Sequence, residues 1–189
     1  MRIALTMLFL TALVLLALPG LSYAAGPYTL PHPIGSAIKY EVFSQGHSTG
    51  TFMKLVLKDK HMSSFSVGEE TVKYEAPVLD IYVIHGVQEA LQASDVEYQV
   101  PVCYLYPVAP EFYDYLREWL EKAGCTVTVS GNTLEFSLIS EGITTIVQID
   151  MTSGVMTLMR TLSGGSETTR WELREAPAIG GGGGGGGGT

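Results

Sequence analysis

Cysteine, positive charge and long apolar runs are all scarce in this chain, and each scarcity excludes something. Its 189 residues include two cysteines, Cys103 and Cys125, with no histidine at ligand spacing beside them. That is too little for a four-ligand zinc site. Lys and Arg number 11 against 19 Asp and Glu. An acidic balance of this size, with no basic cluster in the sequence, disfavours nucleic acid and anionic lipid surfaces as partners. Beyond Leu18 no segment reaches the ~18 apolar residues that a membrane span requires. Catalytic signatures are missing too: there is no Gly-x-Ser-x-Gly elbow, no His-Glu-x-x-His pair, no phosphate-binding Gly-x-x-x-x-Gly-Lys-Ser/Thr loop and no calcium loop. Leu162-Ser163-Gly164-Gly165-Ser166 looks like a transporter-ATPase signature, but without the phosphate loop it reads as a hairpin turn. No catalytic residue, cofactor or metal site is expected.

The one long apolar run opens the chain. Arg2 precedes Ile3 to Leu18, Pro19-Gly20 break the run, and Ser22-Tyr23-Ala24 place small residues where a signal peptidase reads. Residues 1–24 are therefore expected to be a secretory signal peptide, with the mature protein starting near Ala25. The expected location is outside the cytoplasm, secreted or in the cell envelope. No cysteine for lipid attachment follows the run, no twin-Arg pair precedes it, and no Lys/Arg-Gly pair leads it as in pilin-like subunits. Removing Arg2 leaves ten Lys and Arg against 19 Asp and Glu, or −9. Export also changes the reading of the cysteines, since disulfides persist in oxidising compartments. One intramolecular bridge, Cys103–Cys125, is expected, contributing ~3 kcal/mol on the chain-entropy model.

Beyond the leader, residues 25–36 are too proline-rich for a helix or central strand and read as an extended lead-in. A single β-rich domain is expected over 37–176. Ile38, Tyr40 and Val42 alternate with Lys39 and Glu41, and further hairpins follow through Met53-Leu55-Leu57, Phe65-Val67 and Val72-Tyr74. Gln45 to Gly50 reads as a loop, Asp59-Lys60 as a turn, and Val78 to Ile84 as a densely apolar strand. Val87 to Ala93 has the composition of two helical turns. Tyr98 to Leu105 is strand-like, with Pro101 demoting it to an edge or bulge.

The clearest helix spans 110–123. Phe112, Tyr115, Leu116, Trp119, Leu120 and Ala123 recur on one face, with Asp114, Arg117, Glu118, Glu121 and Lys122 on the other. Pro110 suits the first turn and Gly124 the left-handed position after the last. Five strands joined by turns at Ser130-Gly131-Asn132, Glu141-Gly142, 150–154 and 163–166 then predict a consecutive antiparallel sheet. Residues 177–189 end in nine glycines and Thr189, a composition that buries nothing and reads as a flexible tail.

The expected class is α+β with β dominant: an antiparallel meander sheet curved over one amphipathic helix. His32, His47, His61 and His85 read as isolated loop histidines. Met151, Met156 and Met159 lie around one hairpin, but a spacing of three on a strand predicts opposite faces for Met156 and Met159, so they read as core filler. The functional expectation is a non-enzymatic binding or assembly module, with envelope proteins or an apolar ligand as partner. Two alternatives stand beside it: a carrier holding a lipid or other apolar ligand between sheet and helix, and a secreted hydrolase. A cavity of ~300 Å³ or more favours the carrier. A Ser/His/Asp constellation favours the hydrolase.

Overall fold

A computed structural model describes residues 24–177. Apart from Ala24, the expected signal peptide lies outside the described residues, as does the tail from residue 178 onwards. The chain runs β1 (Ala24–Tyr28), β2 (Ala37–Ser44), β3 (His47–Val67), β4 (Glu70–His85), β5 (Gln88–Glu97), α1 (Pro110–Lys122), β6 (Thr126–Ser130), β7 (Thr133–Ser140), β8 (Ile143–Asp150), β9 (Val155–Ser163) and β10 (Ser166–Glu175). It is β-dominant with one helix among the described residues, and its sheet curls into a half-barrel.

The sheet is not a pure antiparallel meander. Its order is β1-β4-β3-β2-β10-β9-β8-β7-β6, with β5 also on β4. Two contiguous hairpin sets are thus joined where β2 pairs with β10, and β1 adds a parallel edge to β4. Neither joint follows from local pattern, because both link strands far apart in sequence.

Asp59-Lys60 is no turn. It sits in a β-bulge within one strand of 21 residues, between the pairs Leu57↔Leu79 and Asp59↔Val78. The extra residue on β3 shifts which side chains of β4 face inward. Leu79 and Ile81 point inward before the bulge; Val72, Tyr74 and Ala76 do so after it. Val78 and Leu79 are therefore both buried, which explains the density of the 78–84 run.

Residues 88–93 are strand, with Val87 in the turn before them, and not helix. β5 pairs with β4 from His85↔Gln88 to Val78↔Glu97. A tight turn and a waiting backbone edge outweigh the modest helix propensity of Glu89 to Gln92. Gln45 to Gly50 likewise contracts to a two-residue turn, with β3 already under way at His47.

Tyr98 to Leu105 is not a strand either. The segment from 98 to 109 leaves the sheet edge and crosses its concave face. Tyr98 N–H donates to the Pro77 carbonyl at 3.1 Å, and at the far end Tyr106 N–H donates to Gly154 at 2.7 Å. Met156 N–H returns a bond to Tyr104 at 3.0 Å. Tyrosines fill the space beneath: Tyr98 meets Tyr104 edge-on at 4.8 Å, and Tyr104 stacks on Trp171 at 6.0 Å. The fully buried Tyr40 donates its hydroxyl to the Met156 carbonyl at 2.7 Å.

The helix begins at Pro110 and ends one residue before the expected Ala123. Gly124, at φ +86°, reverses the chain, and Cys125 N–H donates to the Leu120 carbonyl at 2.9 Å. Phe112, Tyr113, Leu116 and Leu120 are buried against the sheet. Trp119 and Tyr115 pack only partly against the core. Phe112 is the hub, with ring centroids at 5.6 Å from Tyr28, 6.0 Å from Phe65 and 5.6 Å from Tyr74.

Candidate functional site

The first half of α1 buries Phe112 and Tyr113 against the sheet but leaves one side open. Between it and the ends of the β6–β7 and β8–β9 hairpins runs a groove of about 390 Å³. Val108, Pro110, Val129, Leu134 and Met151 supply apolar walls, while Tyr113, Asp114, Arg117, Asn132 and Thr152 supply the polar lining. A volume of this size falls within the range of small-molecule sites. The β-meander places Val129 and Leu134 on one face, because they are direct cross-strand partners.

Among the described residues, two donors that line this groove, one buried and one exposed, have no protein acceptor. The Tyr113 side chain is only 5% exposed, and its hydroxyl has no hydrogen-bond partner among the described residues. Burial, and then the charge of Asp150, push its pKa upward, so the phenol stays a neutral donor. Among the described residues Arg117 forms no ion pair, although Glu121 stands at i+4, whereas Glu118 closes on Lys122 at 2.7 Å. Tyr113 and Arg117 are themselves four residues apart and share a helical face. Arg117 is exposed, as its place on the solvent face predicts, whereas sequence reasoning gave the buried Tyr113 no role. The recurrence of 113, 116 and 120 was the available signal.

Cys103 and Cys125 are both free thiols, too far apart to bridge. The expected disulfide is therefore corrected. Cys103 is buried ahead of the helix, where its N–H donates to the Tyr106 hydroxyl at 3.1 Å. Cys125 follows the far end of a 13-residue helix, about 20 Å long at 1.5 Å per residue. Burial raises both thiol pKa values, Cys103 more strongly, so neither is an activated nucleophile.

Asp150, Ser153 and His32 do meet, but not as a catalytic relay. The Ser153 hydroxyl donates to Asp150 at 2.7 Å. His32 Nε2 lies 2.8 Å from the Ser153 carbonyl oxygen, which can only accept, so this nitrogen carries the proton. A histidine that donates to the serine backbone, with the carboxylate on the serine hydroxyl, inverts the order a serine nucleophile needs. His32 is fully buried, and it pins the lead-in segment to the β8–β9 turn. The expectation of an exposed loop histidine fails there. It holds for His47 and His85, which are exposed, while both ring nitrogens of His61 are sealed from solvent.

The methionine geometry also differs from expectation. A bulge between the pairs Gln148↔Leu158 and Ile149↔Met156 turns Met156 and Met159 to the same inner face. There Met156 is buried, with Met151 and Met159 packed against the core. Among the described residues no group of three or more His, Cys, Asp or Glu is placed to hold a metal.

The convex face carries another grouping that sequence order concealed. Arg160 and Arg170 are direct cross-strand neighbours. Arg170 and Arg174 both lie over the Phe43 ring, at 4.1 and 5.7 Å. Glu167 lies 3.7 Å from Arg170 and Glu41 2.7 Å from Arg174, so the face is charge-patterned and not a basic patch. No family model and no curated protein matches this chain.

Proposed function

We propose that this chain is an exported, non-enzymatic binding module that holds the apolar part of a ligand in the groove between α1 and the β6–β7 hairpin. The observation that carries this reading is the groove itself. Its volume of about 390 Å³ exceeds the ~300 Å³ expected of a ligand site, and five apolar residues converge on it. Export is inferred from the leader at residues 1–24. The hydrolase reading loses ground through the wiring of Asp150, Ser153 and His32. The broader class of binding module and the carrier alternative thus merge into one proposal, with an apolar ligand as the partner.

A second reading, assembly with envelope proteins, draws on a different surface. Leu138, Ile139 and Ile143 are 39%, 73% and 47% exposed at the β7–β8 hairpin, beyond the last β6 pairing at Ser137. That leaves apolar side chains beside an open strand edge.

Native mass spectrometry of the protein purified from its exporting cells tests the groove. An adduct of ligand mass is expected on a chain that begins at Ala25 or Gly26, and Val129→Trp, which fills the groove from its exposed wall, should abolish it. Bare protein that also takes up no apolar dye saturably overturns the proposal.

A further inference from the structure

We propose that the groove selects an amphiphile with a single carboxylate, the apolar chain lying on Val129, Leu134 and Met151 and the carboxylate held by Arg117 and the Tyr113 hydroxyl. This inference rests on the binding reading above and names its ligand class.

The argument begins with unmet hydrogen-bonding capacity. A buried hydroxyl without a partner costs free energy, and native proteins rarely leave one so. Tyr113 does, at 5% exposure. One helical turn later the exposed Arg117 also lines the groove with five N–H donors and, among the described residues, pairs with no carboxylate. Asp114, the nearest acid on the helix, lies one residue from Tyr113 and forms no ion pair with Arg117. A buried hydroxyl without a protein partner and a solvent-facing guanidinium, one helical turn apart beside one apolar groove, suit an acceptor-rich head on an apolar body.

Charge decides which head. One guanidinium and one neutral phenol balance a monoanion. Asp114 lines the same groove, and Asp150 is close enough to raise the Tyr113 pKa. Both repel a second negative charge, and the protein as a whole is acidic. A carboxylate fits these surroundings, and a dianionic phosphate is disfavoured. The planar fork of arginine also matches the two oxygens of a carboxylate.

Calorimetric titration of the exported full-length protein at pH 8 tests this with three probes of one chain length: dodecanoate, 1-dodecanol and dodecyl phosphate, each below its micellar concentration. Dodecanoate should bind at least about tenfold more tightly than the other two. Arg117→Gln should remove that tenfold preference, so that dodecanoate binds no more tightly than 1-dodecanol, and Tyr113→Phe should weaken dodecanoate severalfold. Glu118→Gln, on the far side of the helix, should change nothing. Equal binding of dodecanoate and 1-dodecanol, or tighter dodecyl phosphate, overturns the carboxylate inference while the groove stands. Failure of all three probes overturns the groove itself.

Discussion

Phe112 is the residue on which helix and sheet depend together, and its removal gives the most searching test of the fold. It is fully buried, and its ring meets four others, Tyr28, Phe65, Tyr74 and Tyr113, with centroids between 5.6 and 6.0 Å. Phe112→Ala removes the transfer energy of the ring and leaves a cavity that the surrounding β-strands cannot close. Such changes cost ~3–5 kcal/mol. Four edge and tilted ring contacts, each worth ~0.5–1.5 kcal/mol beyond area, put Phe112 toward the upper end. Trp119 is the larger side chain, but it is only partly buried and has one ring partner, Phe65, at 5.7 Å. Trp119→Ala should therefore cost ~2 kcal/mol, within the range for burying one large apolar side chain. Phe112→Leu, which keeps most of the volume, should cost ~1–2 kcal/mol. Urea denaturation followed by far-ultraviolet circular dichroism measures all three, provided the slope m is unchanged. Phe112→Ala should also lower Tm by roughly 10 °C. If Trp119→Ala proves as costly as Phe112→Ala, the helix does not sit as described.

Three further outcomes are expected. Gly154 has φ +67° and a Cβ there would run into the Tyr106 carbonyl oxygen, so Gly154→Ala should cost more than ~2 kcal/mol by combined strain and clash; Gly142→Ala, at φ +78° in open space, should cost ~1 kcal/mol in the same urea titration. Ellman titration of unfolded, never-reduced protein should return two thiols, and in the folded protein at pH 8 the half-buried Cys125 should react slowly and Cys103 not at all; no thiol in the unfolded sample would restore the bridge. Asp150 is subject to an upward push from burial that is outweighed by hydrogen bonds from Ser153 and Thr152, so its folded pKa is lowered. Its contribution is then present above the unfolded pKa of ~3.9 and lost as pH falls through the folded value, so the stability gap between wild type and Asp150→Asn should be full at pH 6 and close in acid; a gap that persists at pH 2 would contradict this.

The legible parts of this molecule are those whose causes are local. The helix at Pro110–Lys122 was readable because its apolar stripe, its proline start and its glycine stop lie within one stretch. The hairpins from β6 to β10 were readable because alternation and glycine turns set each register between neighbours in the chain. Residues 87–93 failed for the opposite reason: their own preference is weakly helical, and an edge supplied by β4 overrode it. The bulges in β3 and β9 each add one residue and change which side chains of a strand pair face inward, so a sequence reading that misses the one in β9 misplaces Met156 and Met159.

The amino-acid sequence by itself determined β dominance, the single described helix, the second hairpin set and the leader-like start. Only the tertiary structure decided that β2 joins β10, that the tyrosine-rich 98–109 segment crosses the concave face, and that Tyr113 and Arg117 open onto a groove. The physical reason is separation along the chain. Tyr40 reaches Met156 across 116 positions and His32 reaches Ser153 across 121. No periodicity spans such distances, because these contacts are chosen by which faces remain to be buried after the local elements have formed.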